Sequence, residues 1–198
     1  MNDAEINRVP NAVAGILADT DALGFDMTSE PKVGALLKIL AASKPGGRFL
    51  ELGTGTGHGT AWILAGMDRS SRLDTVDIDP NVVAVAKRHL GGDDRVTFHI
   101  VHAADFMAAL PPRSIDFIYA DAWPGKFIGL EEAVRLLRSG GLYVIDDLLP
   151  QPNWPDGHGL KVRSLIQNLE EQSGLASMRL AWASGVMIVV RLASDGSE

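Results

Sequence analysis

Phe49-Leu50-Glu51-Leu52-Gly53-Thr54-Gly55-Thr56-Gly57-His58-Gly59 is the stretch on which the fold turns. A short apolar run ends in a carboxylate and breaks into alternating glycines. That pattern describes a buried strand, a tight turn and the start of a helix. Glycine serves where backbone takes positive φ or approaches a ligand closely. A glycine-rich turn between strand and helix is where open α/β sheets hold nucleotide-like ligands. The spacing is G-x-G-x-G. It departs from the G-x-G-x-x-G of dinucleotide sites, because His58 follows Gly55 by three residues and Thr60 follows Gly57 by three. A carboxylate at the strand end repels a pyrophosphate and suits a ligand that carries an ammonium group.

Working outward, Pro31 to Ser43 carries apolar residues at helical spacing, with Thr28 or Ser29 as candidate N-cap. Arg48 to Leu52 is the first strand, and Thr60 to Gly66 the helix after the turn. Arg72 to Asp77 is a second strand. Asp79 and Pro80 open a helix over Asn81 to Leu90 that Gly91-Gly92 stops. Val96 to Val101 and Ile115 to Ala120 are the third and fourth strands. Ile128 to Arg138 is helical, capped by Ser139-Gly140-Gly141, and Leu142 to Ile145 is the fifth strand. A loop rich in Pro, Trp and Gly spans Leu148 to His158. A helix over Leu160 to Glu171 follows it, then strands Leu175 to Trp182 and Val186 to Leu192 in a hairpin.

The alternation argues for a parallel α/β sheet wound on both faces, with one antiparallel strand from the final hairpin. The 198 residues suit a single domain over 1–198, with 1–28 as an N-terminal extension and 193–198 as a frayed tail. Hydrophobic content of 46% supports a full core, and a formal charge of -7 with scattered Lys and Arg argues against nucleic acid. No basic n-region with an apolar core is present at the start, and no apolar run nears the ~20 residues of a membrane span. The absence of cysteine removes disulfides and thiolate chemistry and is compatible with a cytoplasmic location.

In such sheets ligands lie at the carboxyl ends of the strands. Four of the five strand ends carry carboxylates: Glu51, Asp77, Asp121 and the Asp146-Asp147 pair. Asp77 lies at about the distance from the glycine turn at which an acid bonds ribose hydroxyls. Asp105, with Phe106 beside it, suits an adenine amino group and a ring to stack on. Phe49 to Gly57, Val76-Asp77-Ile78-Asp79-Pro80 and Ala104-Asp105-Phe106 together resemble the successive motifs of class I S-adenosylmethionine-dependent methyltransferases. The resemblance runs from about Met27 to Leu192. It implies a Rossmann-like, seven-stranded sheet ending in an antiparallel hairpin. It further implies that Glu51, Gly53, Thr54, Gly55 and Gly57 meet the methionine part of the cofactor and Asp77 the ribose. Asp105 and Phe106 would meet the adenine, with Met27, Ile78, Ala104 and Asp121 lining the same site.

Asp121 and Asp146-Asp147 end strands that, if adjacent, bring three carboxylates together. Like charges so close are costly, and an all-oxygen donor set suits Mg²⁺, or Mn²⁺ or Ca²⁺. Met27-Thr28-Ser29, Asp121-Ala122-Trp123 and Asp146-Asp147 resemble catechol O-methyltransferase and its cation-dependent relatives. There an Asp and an Asp-Asn pair hold magnesium, which binds vicinal hydroxyls. Here the pair is Asp-Asp, and the family's catalytic lysine falls at Pro124. Lys126 can substitute by reaching back. Trp123 and Trp154 would wall an acceptor pocket, and His158 would serve as base or fourth ligand. The expected reaction is O-methylation of a small hydroxylated or phenolic metabolite. The apolar helix faces and the segment before Ser29 are compatible with a homodimer. The alternatives are a metal-independent O- or N-methyltransferase, a non-catalytic S-adenosylmethionine-binding module and an NAD-dependent oxidoreductase.

Overall fold

The computed structural model describes residues 6–152 and 154–193, so the tail expected at 193–198 lies, from 194 on, outside the described residues. In chain order the elements are α1 (Ala12–Leu23), α2 (Pro31–Ala42), β1 (Arg48–Leu52), α3 (His58–Gly66), β2 (Arg72–Asp77), α4 (Pro80–Leu90), β3 (Val96–Ile100) and α5 (Ala103–Ala109). They continue with β4 (Ile115–Ala120), the single turn α6 (Trp123–Lys126), α7 (Leu130–Leu136), β5 (Leu137–Ile145), α8 (His158–Glu171), β6 (Leu175–Leu180) and β7 (Val186–Arg191). One seven-stranded sheet has the order β3-β2-β1-β4-β5-β7-β6. All pairs are parallel except those of β7, which runs antiparallel between β5 and β6. The chain reverses direction across the sheet between β1 and β4, and ligand crevices open at such a switch.

Strand alternation sorts the core into two layers. Phe49, Phe117 and Val144 pack with α1, α2 and α3 on one face, while Leu50, Leu52, Ile118 and Ile145 pack with α5, α7 and α8 on the other. Glu51 shares the first face, paired in register with Thr75 on one side and Tyr119 on the other.

Three features differ from expectation. Residues 12–23 form α1, which buries Val13, Ile16 and Thr20 in the first core. This narrow stripe includes a threonine, so its apolar periodicity is weak. α1 is tied down by Asp19, 2.8 Å from Arg88 and 2.7 Å from His89. Its Thr20 hydroxyl lies 2.8 Å from that of Thr56, inside the glycine turn. The helix expected over Ile128 to Arg138 is only Leu130–Leu136, and Leu137 already pairs with Ile115. The register then shifts so that Phe117 meets Leu142, and 138–141 bulge out instead of capping a helix. Lastly, Ser29 is not an N-cap: Glu30 occupies that position, extended, with Pro31 behind it.

Candidate active site

Two adjoining cavities open at the carboxyl ends of β1, β2, β4 and β5. The first, of about 350 Å³, is lined by the glycine turn, Glu51, Asp77, Ile78 and Asp121, with Phe25, Met27, Thr56 and His58 closing it. Met27, Glu51, Gly53, Thr54, Gly55, Asp77, Ile78 and Asp121 all line this cavity. Four expected residues are elsewhere. Ala104, Asp105 and Phe106 sit in α5 and do not line the cavity, and the Phe106 ring stacks on His99 at 4.5 Å. Gly57 (φ 94°) serves packing: a Cβ there would lie 2.8 Å from that of Ala86, so it lets α3 and α4 approach.

Glu51 is fully buried. Its Oε2 accepts hydrogen bonds from the Thr60 hydroxyl and, at 2.6 Å, from the Thr75 hydroxyl. Its Oε1 is buried with no partner among the described residues. Burial pushes this carboxyl up to about 8, against the pull of the two threonines. Asp77 holds the turn itself: its Oδ2 accepts from Gly55 N at 2.8 Å, and its Oδ1 from Ile78 N and Asp79 N at 2.7 and 3.0 Å. His58 adds a feature that the sequence reading did not single out. Its Nε2 accepts from the Trp62 indole at 3.3 Å, while its Nδ1 is buried and unpartnered among the described residues. Desolvation pushes the imidazole down to about 4, so it is neutral at physiological pH.

The second cavity, of about 280 Å³, shares Met27, Ser29, Asp121 and Trp123 with the first and continues to Lys126, Asp146, Asp147, Trp154, His158 and Ser184. The two Trp, Lys126, His158 and the three Asp all line this second cavity. The three carboxylates are each engaged by protein donors. Asp147, at φ 60°, gives both oxygens to the Trp154 indole at 3.0 Å. Asp146 Oδ1 accepts from Asp147 N at 2.7 Å and from the Ser184 hydroxyl, and the Tyr119 hydroxyl stands 3.1 Å from its Oδ2. Asp121 Oδ2 accepts from the Ser29 hydroxyl at 2.7 Å. Among the described residues no three His, Cys, Asp or Glu side chains are grouped to hold a metal ion. The expected Mg²⁺ ligands Asp121, Asp146 and Asp147 each accept at least one hydrogen bond from a hydroxyl, amide or indole donor. Burial first, then each other's charge, raises the Asp121 carboxyl, and burial raises that of Asp146, so the pair favours holding a proton.

Lys126 supplies the nearby positive charge. It is 4% exposed and its Nζ donates to the Asp146 carbonyl at 3.0 Å. The turn that brings it inward is not helical at Pro124 or at Gly125. The carbonyl of Gly125 (φ 86°) accepts from the Tyr143 hydroxyl, and a Cβ there would lie 2.5 Å from Leu52 Cδ1. His158, first residue of α8, is enclosed by Trp154, Phe127 and Trp123 with ring centroids at 4.4, 5.0 and 6.0 Å. Both its nitrogens are buried without partner among the described residues, and burial lowers its pKa.

An α/β sheet with a crevice at its switch point, at the carboxyl ends of its strands, is the arrangement in which such sheets hold nucleotide-like ligands. Residues 50–148 match the family model described as a methyltransferase domain. A Mycobacterium ulcerans protein assigned as an O-methyltransferase is 33% identical over 171 residues, covering 81% of this chain and 76% of its own length. The fold matches a Corynebacterium glutamicum protein with a TM-score of 0.81 at 22% identity, over 97% of this chain and 94% of that one. It also matches the O-methyltransferase TomG of Streptomyces achromogenes, solved with S-adenosylmethionine, with a TM-score of 0.79 at 20% identity, over 96% and 94% of the two chains. The chain belongs to the S-adenosylmethionine-dependent methyltransferases, in their O-methyltransferase family. That membership displaces the NAD-dependent reading. Among the described residues no helix is long and apolar enough to cross a membrane.

Proposed function

We propose that this protein transfers a methyl group from S-adenosylmethionine to a hydroxyl of a small, largely aromatic acceptor held between Trp123, Trp154 and Lys126. The observation that carries this reading is the pair of cavities joined through Asp121, one of them ending in the unpartnered Glu51 Oε1. A buried carboxylate oxygen without a donor is costly, and the ammonium of the cofactor's methionine part is the donor that fits it. Asp77, three of whose roughly four lone-pair sites already hold backbone amides, keeps about one for a ribose hydroxyl. The cofactor, when bound, supplies a methyl on sulfonium sulfur: the acceptor oxygen bonds to it, the carbon–sulfur bond breaks, and that electron pair stays on sulfur.

The chain's own residues have three tasks. The tryptophans and Met27 hold the acceptor ring and exclude water, as aromatic-lined clefts do. His158, kept neutral by burial, takes the hydroxyl proton. Lys126 stabilises the negative charge left on the oxygen, in a site dry enough for that to matter. The test is calorimetry with S-adenosylhomocysteine, followed by product-release assays on a panel of phenols. Binding of the nucleoside with turnover of one acceptor class is expected. Failure to bind S-adenosylhomocysteine overturns the reading.

A further inference from the structure

The acid cluster behind the acceptor mouth is already supplied with what a metal would bring. Its carboxylates accept from Ser29, Tyr119, Ser184 and the Trp154 indole. A hard cation such as Mg²⁺ needs near-octahedral oxygen ligands at about 2.0–2.1 Å and keeps several of its own waters. Here each carboxylate is held by a protein donor, and among the described residues no three His, Cys, Asp or Glu side chains are grouped to hold a metal ion. In the same place stands an ammonium. Lys126 Nζ has three donors, and the Asp146 carbonyl takes one at 3.0 Å, which leaves two for an oxygen in the cavity. Its position is not incidental. Gly125 has the φ of 86° and the clearance from Leu52 that only glycine provides, and Tyr143 anchors its carbonyl.

We propose that Lys126 is the resident cation of this site and that methyl transfer here requires no divalent ion. The inference rests on the methyltransferase reading above and narrows the acceptor class. A bound metal selects vicinal oxygens by chelating both. A single ammonium contacts one oxygen and places no demand on its neighbour, so the acceptor carries a lone phenolic or alcoholic hydroxyl. In the step, the hydroxyl proton passes to His158 and the oxyanion is held by Lys126. The oxygen–carbon bond forms as the carbon–sulfur bond breaks, leaving a neutral thioether.

The test is a Mn²⁺ titration followed by electron paramagnetic resonance, on protein saturated with S-adenosylhomocysteine. Wild type is expected to leave Mn²⁺ free up to about millimolar concentration, and turnover of monophenols to be unchanged by EDTA. Lys126→Ala, which exposes Asp121 and Asp146 without a counter-charge, is expected to bind Mn²⁺ at least about tenfold more tightly, or about 1.4 kcal/mol. Lys126→Arg keeps the charge and should remain Mn²⁺-silent, which guards against an unfolded alanine variant. Micromolar Mn²⁺ binding by wild type overturns the proposal, as does turnover of catechols alone and only with Mg²⁺. S-adenosylhomocysteine binding, measured on the same samples, is a separate readout: its absence sinks the parent reading, whatever the Mn²⁺ result.

Discussion

The two cavities treat their carboxylates in opposite ways. At the end of β1, Glu51 is buried with one oxygen unpartnered, and His58 beside it keeps a bare Nδ1. At the ends of β4 and β5, Asp121, Asp146 and Asp147 are bonded by Ser29, Ser184, Tyr119 and Trp154, with Lys126 close behind. An unsatisfied buried group marks where a ligand completes the structure, whereas a satisfied one shows that the protein has completed it alone. By that criterion the open position of the first cavity is the Glu51 carboxylate, whereas in the second the acids each have a donor and the open positions are the two nitrogens of His158.

The sharpest way to break this contrast is at Lys126. Lys126→Met should lower kcat by about 10²-fold, the scale of losing one donor to a developing oxyanion, with S-adenosylhomocysteine affinity nearly unchanged in calorimetry. A parallel loss of nucleoside affinity would merge the two cavities into one. Next comes Glu51→Gln, which should weaken S-adenosylhomocysteine by roughly thirtyfold, or about 2 kcal/mol for a lost charge-assisted hydrogen bond. An unchanged Kd would mean that the bare oxygen awaits nothing.

A third test uses pH. The folded protein holds a proton on Glu51 up to about 8, whereas an unfolded glutamate has released it above 4.5. Between those values the native state binds the extra proton, so its unliganded stability should fall as pH rises from about 5 to about 8. Ligand binding needs the ionised form, so affinity should climb by about tenfold per pH unit at most over the upper part of this window and level off beyond pH 8. Glu51→Gln should flatten both curves, thermal midpoint and Kd alike. A flat wild-type profile would show that Glu51 does not titrate there. The smallest effect is expected at Trp154→Phe. It frees Asp147 from its indole and should raise acceptor KM a few-fold, about 1 kcal/mol for one hydrogen bond, with kcat and nucleoside Kd steady.

How much of this was legible beforehand depended on sequence distance. β1, β2 and β4 follow directly from apolar runs ended by turn residues, and their ends locate the carboxylates. Lys126 entered as a substitute for the lysine displaced by Pro124, but the non-helical turn at Pro124 and Gly125 that brings it inward was not read from the sequence. Ser29, Tyr119 and Ser184 were not legible, because their partners lie 92, 27 and 38 residues away and only the fold joins them. That Asp105 and Phe106 lie outside the lining of the first cavity was not legible for a similar reason. The rotation of the seven-residue α5 is set by packing on its neighbours, and Phe106 turns to His99. Gly57 looked like a ligand contact, whereas the constraint on it comes from Ala86 on another helix.

Asp121 N donates to the Leu52 carbonyl at 3.1 Å, and Asp146 N to the Ala120 carbonyl at 3.1 Å. The floors of both cavities are thus successive rungs of one ladder, about 4.8 Å apart. The spacing between the two floors is therefore set by backbone pairing, while Trp154 and His158 reach the second cavity from the loop before α8 and from its first residue. Changes between Leu148 and Gly157 can thus remodel the wall of the second cavity while the distance between the floors stays where the sheet put it.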